Sequence, residues 1–194
     1  MTDPRFHITT PRVYLSYFQP SDPTHCDFLV TLYNTSSFIA TSITTCSASE
    51  KRLSGRFREE HTRNGYGTYL VRLRPPSTWN EPEDETTPFP ERLAACKHVG
   101  TVSLIRGESP TVYSAPDLGS ALLPEETRKR YARETSGGGM GGLLAWAQKK
   151  RGRVFRSLGF EGRGIHTLKE FGSVQGAVWM KRGMSSDLST YGIQ

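Results

Sequence analysis

The run from Val99 to Ala132, VGTVSLIRGESPTVYSAPDLGSALLPEETRKRYA, decides how the chain reads. In its first part Val99, Thr101, Ser103 and Ile105 share one parity, and Gly100, Val102, Leu104 and Arg106 share the other. Both sets carry aliphatic or β-branched residues, which predicts a strand buried on both faces. Leu118 to Leu123 is a second short apolar run, closed by Pro124. Glu125 and Glu126 suit the first turn of a following helix. A strand that passes through a basic loop into a helix start gathers unpaired N–H groups and positive charge at one spot. Such a spot is suited to phosphate.

Outward from that run, composition bounds the rest. The chain has 194 residues, 35% hydrophobic and 23% charged, which predicts one domain over 1–194 with a sizeable core. No apolar run reaches the length of a membrane span, and MTDPRFHITT lacks the apolar segment of a signal peptide. The expectation is a cytoplasmic protein without a membrane partner. Cys26, Cys46 and Cys96 are odd in number and far apart, and His7, His25, His61, His98 and His166 show no metal-ligand spacing. Reduced structural thiols, polar-packing histidines and no metal follow as expectations. Charge is unevenly placed. Residues 127–182 carry thirteen Lys/Arg and three Asp/Glu, whereas residues 1–126 carry twelve and fifteen. A basic half of this kind attracts a polyanion.

The remaining chain reads as alternating elements. Thr10-Pro11-Arg12 opens a strand, VYLSYF. Ser21-Asp22-Pro23 supplies a cap and a first-turn proline for a helix whose apolar face is Phe28, Leu29, Leu32 and Tyr33. Ser47–Thr62 predicts a second helix, opened by a capping box at Ser47-Ala48-Ser49-Glu50, with Leu53 and Phe57 facing the core. TYLVRLR, 68–74, predicts a strand. Residues 75–96 hold five prolines and a cluster of acids, which predicts a long flexible loop, with Trp79 and Phe89 as possible anchors. Ala132–Gln148 predicts a helix strained by the five glycines of 137–142, each costing about 1 kcal/mol against alanine. Lys149–Leu158 predicts another helix, with a short strand at 153–155 as the alternative. Two antiparallel strands close the chain, meeting at Phe171-Gly172-Ser173.

GTVSL, PDLGSALLPE, KRYA-R-E and VFRSLGF-EGRG, in that order, resemble the Gcn5-related N-acetyltransferases, the GNAT family, and within it the ribosomal-protein N-terminal acetyltransferase branch. The resemblance runs from Thr10 to about Lys181. It implies an α/β fold with a mixed central sheet flanked by helices. That fold brings acyl transfer from acetyl-CoA, as cosubstrate, to a primary amine of a protein N-terminus or a small molecule. The family's diphosphate loop has the pattern Gln/Arg-x-x-Gly-x-Gly/Ala, matched here by Thr127, Arg130 and Ala132, so the loop is degenerate.

Residue by residue, the resemblance places the pantetheine arm on the backbone of Leu122 and Leu123. It places the diphosphate on Arg128, Lys129, Arg130, Tyr131 and Ala132. Arg128 and Arg130 stand where glycines let backbone approach phosphate. Either their side chains bind the phosphates directly, or their bulk closes the loop. Asp117 matches an acidic position that would serve as base, with Glu108 second, while the tyrosine acid of other members falls on Phe155. The fifth strand of the family is missing or vestigial by this reading, because Trp146-Ala147 passes straight to a basic stretch. Without that strand the acyl site loses a wall, and acetyltransfer is expected to be weak or absent. A catalytically inactive GNAT-like binding protein and, more weakly, a nucleic-acid binder stand as alternatives.

Overall fold

The computed structural model describes residues 3–36, 44–79, 81, 86–106, 117–137, 144–147, 156, 159–168, 174–181, 183 and 185–191. They form a mixed α/β fold, as the sequence implied, in two compact units. Unit 1 comprises Met1–Val102 and Ser120–Gly138, and unit 2 comprises Ser103–Gly119 and Gly139–Gln194.

In unit 1 the strands lie in the order β1 (His7–Thr9), β2 (Val13–Tyr17), β3 (Thr68–Leu73), β4 (Lys97–Ile105) and β5 (Asp117–Leu122). The last two continue into unit 2. β2 is antiparallel to both β1 and β3, with Leu15 opposite Ile8 and Val71. The edge strand β1 was not legible, because its three residues are too few to show a period. In β4 Val99, Gly100, Thr101 and Val102 are all buried, as the double-faced apolar pattern predicts. Gly100 is required by close approach, since a Cβ there would collide with the Ala121 carbonyl oxygen.

Helix α1 (Pro23–Tyr33) follows the expected signals. Asp22 caps it by accepting from Thr24 N, Pro23 takes the first helical position, and Asn34 closes it. The second predicted helix is three segments. α2 (Cys46–Lys51) is capped by the Thr45 hydroxyl, not by Ser47, and passes into a π-helical turn, Arg52–Phe57. α3 (Arg58–Asn64) ends on Gly65 at φ +73°, the left-handed stop that glycine adopts without a Cβ clash. Leu53 and Phe57 join Phe18, Phe28, Leu29, Leu32, Leu70 and Leu123 in the core, as the spacing required. Fully burying one such leucine contributes roughly 1.5–3 kcal/mol.

Residues 75–96 are less irregular than their prolines suggest. They contain a 3-10 turn, Pro76–Thr78, and a helix α4 (Phe89–Ala94) begun by Pro88 and Pro90 near its start. Both anchors hold. Trp79 Nε1 donates to the Arg74 carbonyl at 2.9 Å, and Phe89 stacks on His7 at 3.7 Å between ring centroids.

Two further corrections concern the central stretch. Pro124–Glu126 is a 3-10 turn and not a helix start; α5 (Tyr131–Gly137) begins five residues later. The expected missing fifth strand is present. β6 (Leu144–Ala147) lies in unit 2, parallel to β5 with Leu144 opposite Asp117. It is antiparallel to β8 (Val174–Lys181), from Leu144 opposite Met180 to Ala147 opposite Ala177. α5 is described as far as Gly137, and LAWA, read as part of the same helix, belongs to a new element. Four apolar residues cannot be assigned to helix or strand by periodicity. β7 (Phe160–Leu168) pairs antiparallel with β8, with a bulge between Gly162 and Ile165. The helix read over Lys149–Leu158 lies outside the described residues except for Arg156, whose guanidinium stands 5.4 Å from the Trp179 ring centre.

Unit 1 also buries charge. His25 sits on the apolar face of α1 with Phe28, Leu29 and Leu32, fully enclosed. Arg72 Nη2 stands 2.6 Å from its Nε2, and Gln19 N–H donates to its Nδ1 at 2.9 Å. N–H donors thus face both ring nitrogens, and Asp22 Oδ2, 3.4 Å from Nε2, is the carboxylate within reach of an added proton. Burial, then the Arg72 charge, push His25 down to about 4; the same two causes push His98 down to about 4. The unfolded chain takes up these protons below about pH 6.5, whereas the folded chain resists until about 4. Stability from this pair is therefore complete above pH 6.5 and lost as the pH falls from 6.5 to 4. Each histidine contributes at most about 1.4 kcal/mol per pH unit. Urea midpoints measured from pH 7.5 to 4.5 should fall, and more shallowly for His25→Asn. A flat profile would contradict the buried neutral pair.

Candidate functional site

The loop after β5 holds two non-glycine residues in the left-handed region. Arg128 has φ +67° and Arg130 φ +69°, and they are the described non-glycine residues in the left-handed region. That region costs an L-residue roughly 1–2 kcal/mol. The loop therefore keeps a glycine-type path while carrying arginine side chains. Both arginines are exposed, and neither guanidinium has a hydrogen-bond or ion-pair partner among the described residues.

Contacts from far away in sequence reach this loop. Glu134 on α5 accepts from Thr10 Oγ1 at 2.6 Å, from Arg12 N at 2.7 Å and from Arg12 Nε at 2.7 Å. Arg12 Nη2 closes the pair at 2.6 Å from Glu134 Oε2, and the two side chains are 25% and 13% exposed. Arg12 Nη1 then donates to the Lys129 carbonyl at 3.1 Å, on the residue between the two left-handed arginines. Its guanidinium lies 4.7 Å from the ring centre of buried Tyr131 and 5.8 Å from that of Trp79. The loop's other end is tied by buried Glu126, which accepts from Lys97 at 2.8 Å and Lys129 at 2.9 Å. Burial pushes the Glu126 carboxyl up; the lysine hydrogen bonds overcome this and hold it below its ordinary value. Lys129 is thereby committed to the fold, and Arg128 and Arg130 remain as the outward cations.

The other sequence-predicted residues fall as follows. Ala132 is half-buried in the first turn of α5. Leu122 ends β5, and buried Leu123 follows it. The Leu123 N–H already donates to the Val99 carbonyl at 3.0 Å, and its carbonyl accepts from Glu126 N at 2.9 Å. Asp117 opens β5 in unit 2, at register with Leu144. Glu108 and Phe155 lie outside the described residues. Arg12 and Glu134 escaped sequence reading as site residues. Thr10-Pro11-Arg12 was visible as a strand opening, but a pairing across 122 residues has no local signature.

The fold is that of the GNAT acetyltransferases. Three solved structures illustrate the likeness. An acetyltransferase of the GNAT family from Bacillus anthracis aligns at TM-score 0.55 and 13% identity, covering 90% of this chain and 96% of its own. The acetyltransferase from Salmonella typhimurium that modifies the N-terminal serine of the 50S ribosomal subunit protein L7/L12 aligns at 0.61 and 14%, covering 93% and 100%. RimL, a ribosomal L7/L12 alpha-N-protein acetyltransferase in complex with coenzyme A, aligns at 0.60 and 15%, covering 94% and 100%. No family model and no curated protein matches the sequence.

Glu134→Ala should destabilise the chain by about 3 kcal/mol, the low end for breaking a buried pair, because Arg12 keeps a quarter of its surface in water. Urea unfolding checks this. A loss under about 0.5 kcal/mol would mean that the pair is no stronger than a surface bridge.

Proposed function

We propose that this protein transfers an acetyl group from acetyl-CoA to a primary amine, with the loop 128–132 receiving the diphosphate. One observation carries the reading: a left-handed loop of glycine type whose two strained residues are exposed arginines with no hydrogen-bond or ion-pair partner among the described residues. Strained backbone persists where the surrounding structure over-determines it, and it concentrates at binding sites. Guanidinium forks suit phosphate oxygens, and each such charge-assisted bond is shorter and stronger than a neutral one. The arginines thus offer a side-chain route to phosphate in place of the glycines' close backbone approach.

Acetyl-CoA, when bound, supplies an activated thioester. What this chain must supply is position and proton handling. The committed N–H of Leu123 leaves its carbonyl, with a second lone pair, as the group able to meet a pantetheine amide. Leu122 would flank it. Asp117 is proposed as the base that takes a proton from the acceptor ammonium, since only a neutral amine carries the lone pair that attacks. A protein N-terminus is the favoured acceptor, on the likeness to enzymes that modify a ribosomal protein's N-terminal serine. With β6 in place, the reason to expect poor acyl transfer is gone.

Isothermal titration with acetyl-CoA tests the cofactor reading. Binding should weaken with salt, and Arg130→Glu should lower affinity at least tenfold at low salt. Unchanged affinity in that variant would remove phosphate binding from the loop. Asp117→Asn should cut turnover of N-terminal peptides by about 10²-fold or more at neutral pH while leaving acetyl-CoA affinity unchanged. Tight binding without turnover on any amine tested would favour a binding protein over an enzyme.

A further inference from the structure

Arg12 reaches the peptide between Arg128 and Arg130. Four observations meet there. Its Nη1 holds the Lys129 carbonyl, and Glu134 holds its backbone N, Nε and Nη2. Tyr131 and Trp79 rings lie beside its guanidinium. The residues on either side of the captured carbonyl are the two with positive φ. Glu134 is also fixed by Thr10, whose hydroxyl in turn accepts from Val13 N at 3.1 Å, so the clamp is tied to the start of β2.

We propose that Arg12 and Glu134 are positioning residues: by clamping the Lys129 carbonyl they hold Arg128 and Arg130 left-handed and so present the two guanidiniums to an anion. Without the clamp the loop keeps its tie to Glu126 through Lys129 but loses the hold on the peptide between the two arginines, and it relaxes toward ordinary φ. The value of the arginines as ligands then falls, although neither has been altered. This inference rests on the loop's being the diphosphate site for its consequence, but the clamp itself is tested without any cofactor.

The test is a two-by-two cycle of urea midpoints, combining Arg12→Met with the paired change Arg128→Gly and Arg130→Gly. Methionine keeps apolar volume beside Tyr131 and removes the donors. In the wild-type background the glycines relieve an imposed conformation, and the midpoint should rise. In the Arg12→Met background the loop has already relaxed, and the same glycines should give no rise or a fall. Equal effects in both backgrounds would overturn the proposal, because Arg12 would then be stabilising the fold without shaping the loop. If Arg12→Met does not fold, Glu134→Gln takes its place in the cycle, with smaller coupling of the same sign expected and additivity again overturning. A parallel titration with acetyl-CoA reads the consequence, with at least tenfold weaker binding expected in folded Arg12→Met. Wild-type affinity in that variant would overturn the positioning role. Failure of the unaltered protein to bind acetyl-CoA would sink the cofactor reading alone, and the urea cycle would still decide the clamp.

Discussion

A single carboxylate, Glu134, sets the geometry on which the candidate site rests. It accepts from Thr10, from the Arg12 backbone and from the Arg12 guanidinium, all within 2.7 Å. Such charge-assisted bonds are short and strong when largely withdrawn from water. They fix the start of β2 against α5 and leave one arm of Arg12 to capture the Lys129 carbonyl. The conformational cost at Arg128 and Arg130, roughly 1–2 kcal/mol each, is of the size that such a pair can offset.

That arrangement changes how Arg130, at a glycine position of the resembled loop, and its neighbour Arg128 are understood. Glycine allows a left-handed loop at no steric cost, so a loop lacking it reads as degenerate. The structure keeps the path with other means, and Glu126 and its two lysines secure the near end of the same segment. Of the three consecutive cations 128–130, one is spent on the fold and two face outward.

The helices and most strands were legible because their signals are local. Asp22, Pro23 and Asn34 bracket α1 as their chemistry requires, and the double-faced apolar run of β4 is buried on both sides. Misreadings fell where a short run has no period of its own. LAWA, at 144–147, looked like the tail of a glycine-rich helix, and its identity as β6 depends on β8, thirty residues on. Glu125 and Glu126 suited a helix start, but a 3-10 turn took them. Within the site, the loop was found from its basic strand-to-helix setting, whereas Arg12, Glu134 and the buried His25–Arg72 pair were not. Each of those depends on a contact between distant segments, which composition and spacing do not record.

On the proposed function, residues 128–132 form a preshaped receptor for the diphosphate of coenzyme A. Amide chemical-shift mapping during titration with coenzyme A tests it most directly. The N–H signals of Arg128 to Ala132 should shift together, saturate with one dissociation constant, and keep before and after titration the couplings of positive φ at 128 and 130. Saturable shifts confined to other segments, or a loop that shows ordinary φ until ligand is added, would contradict it.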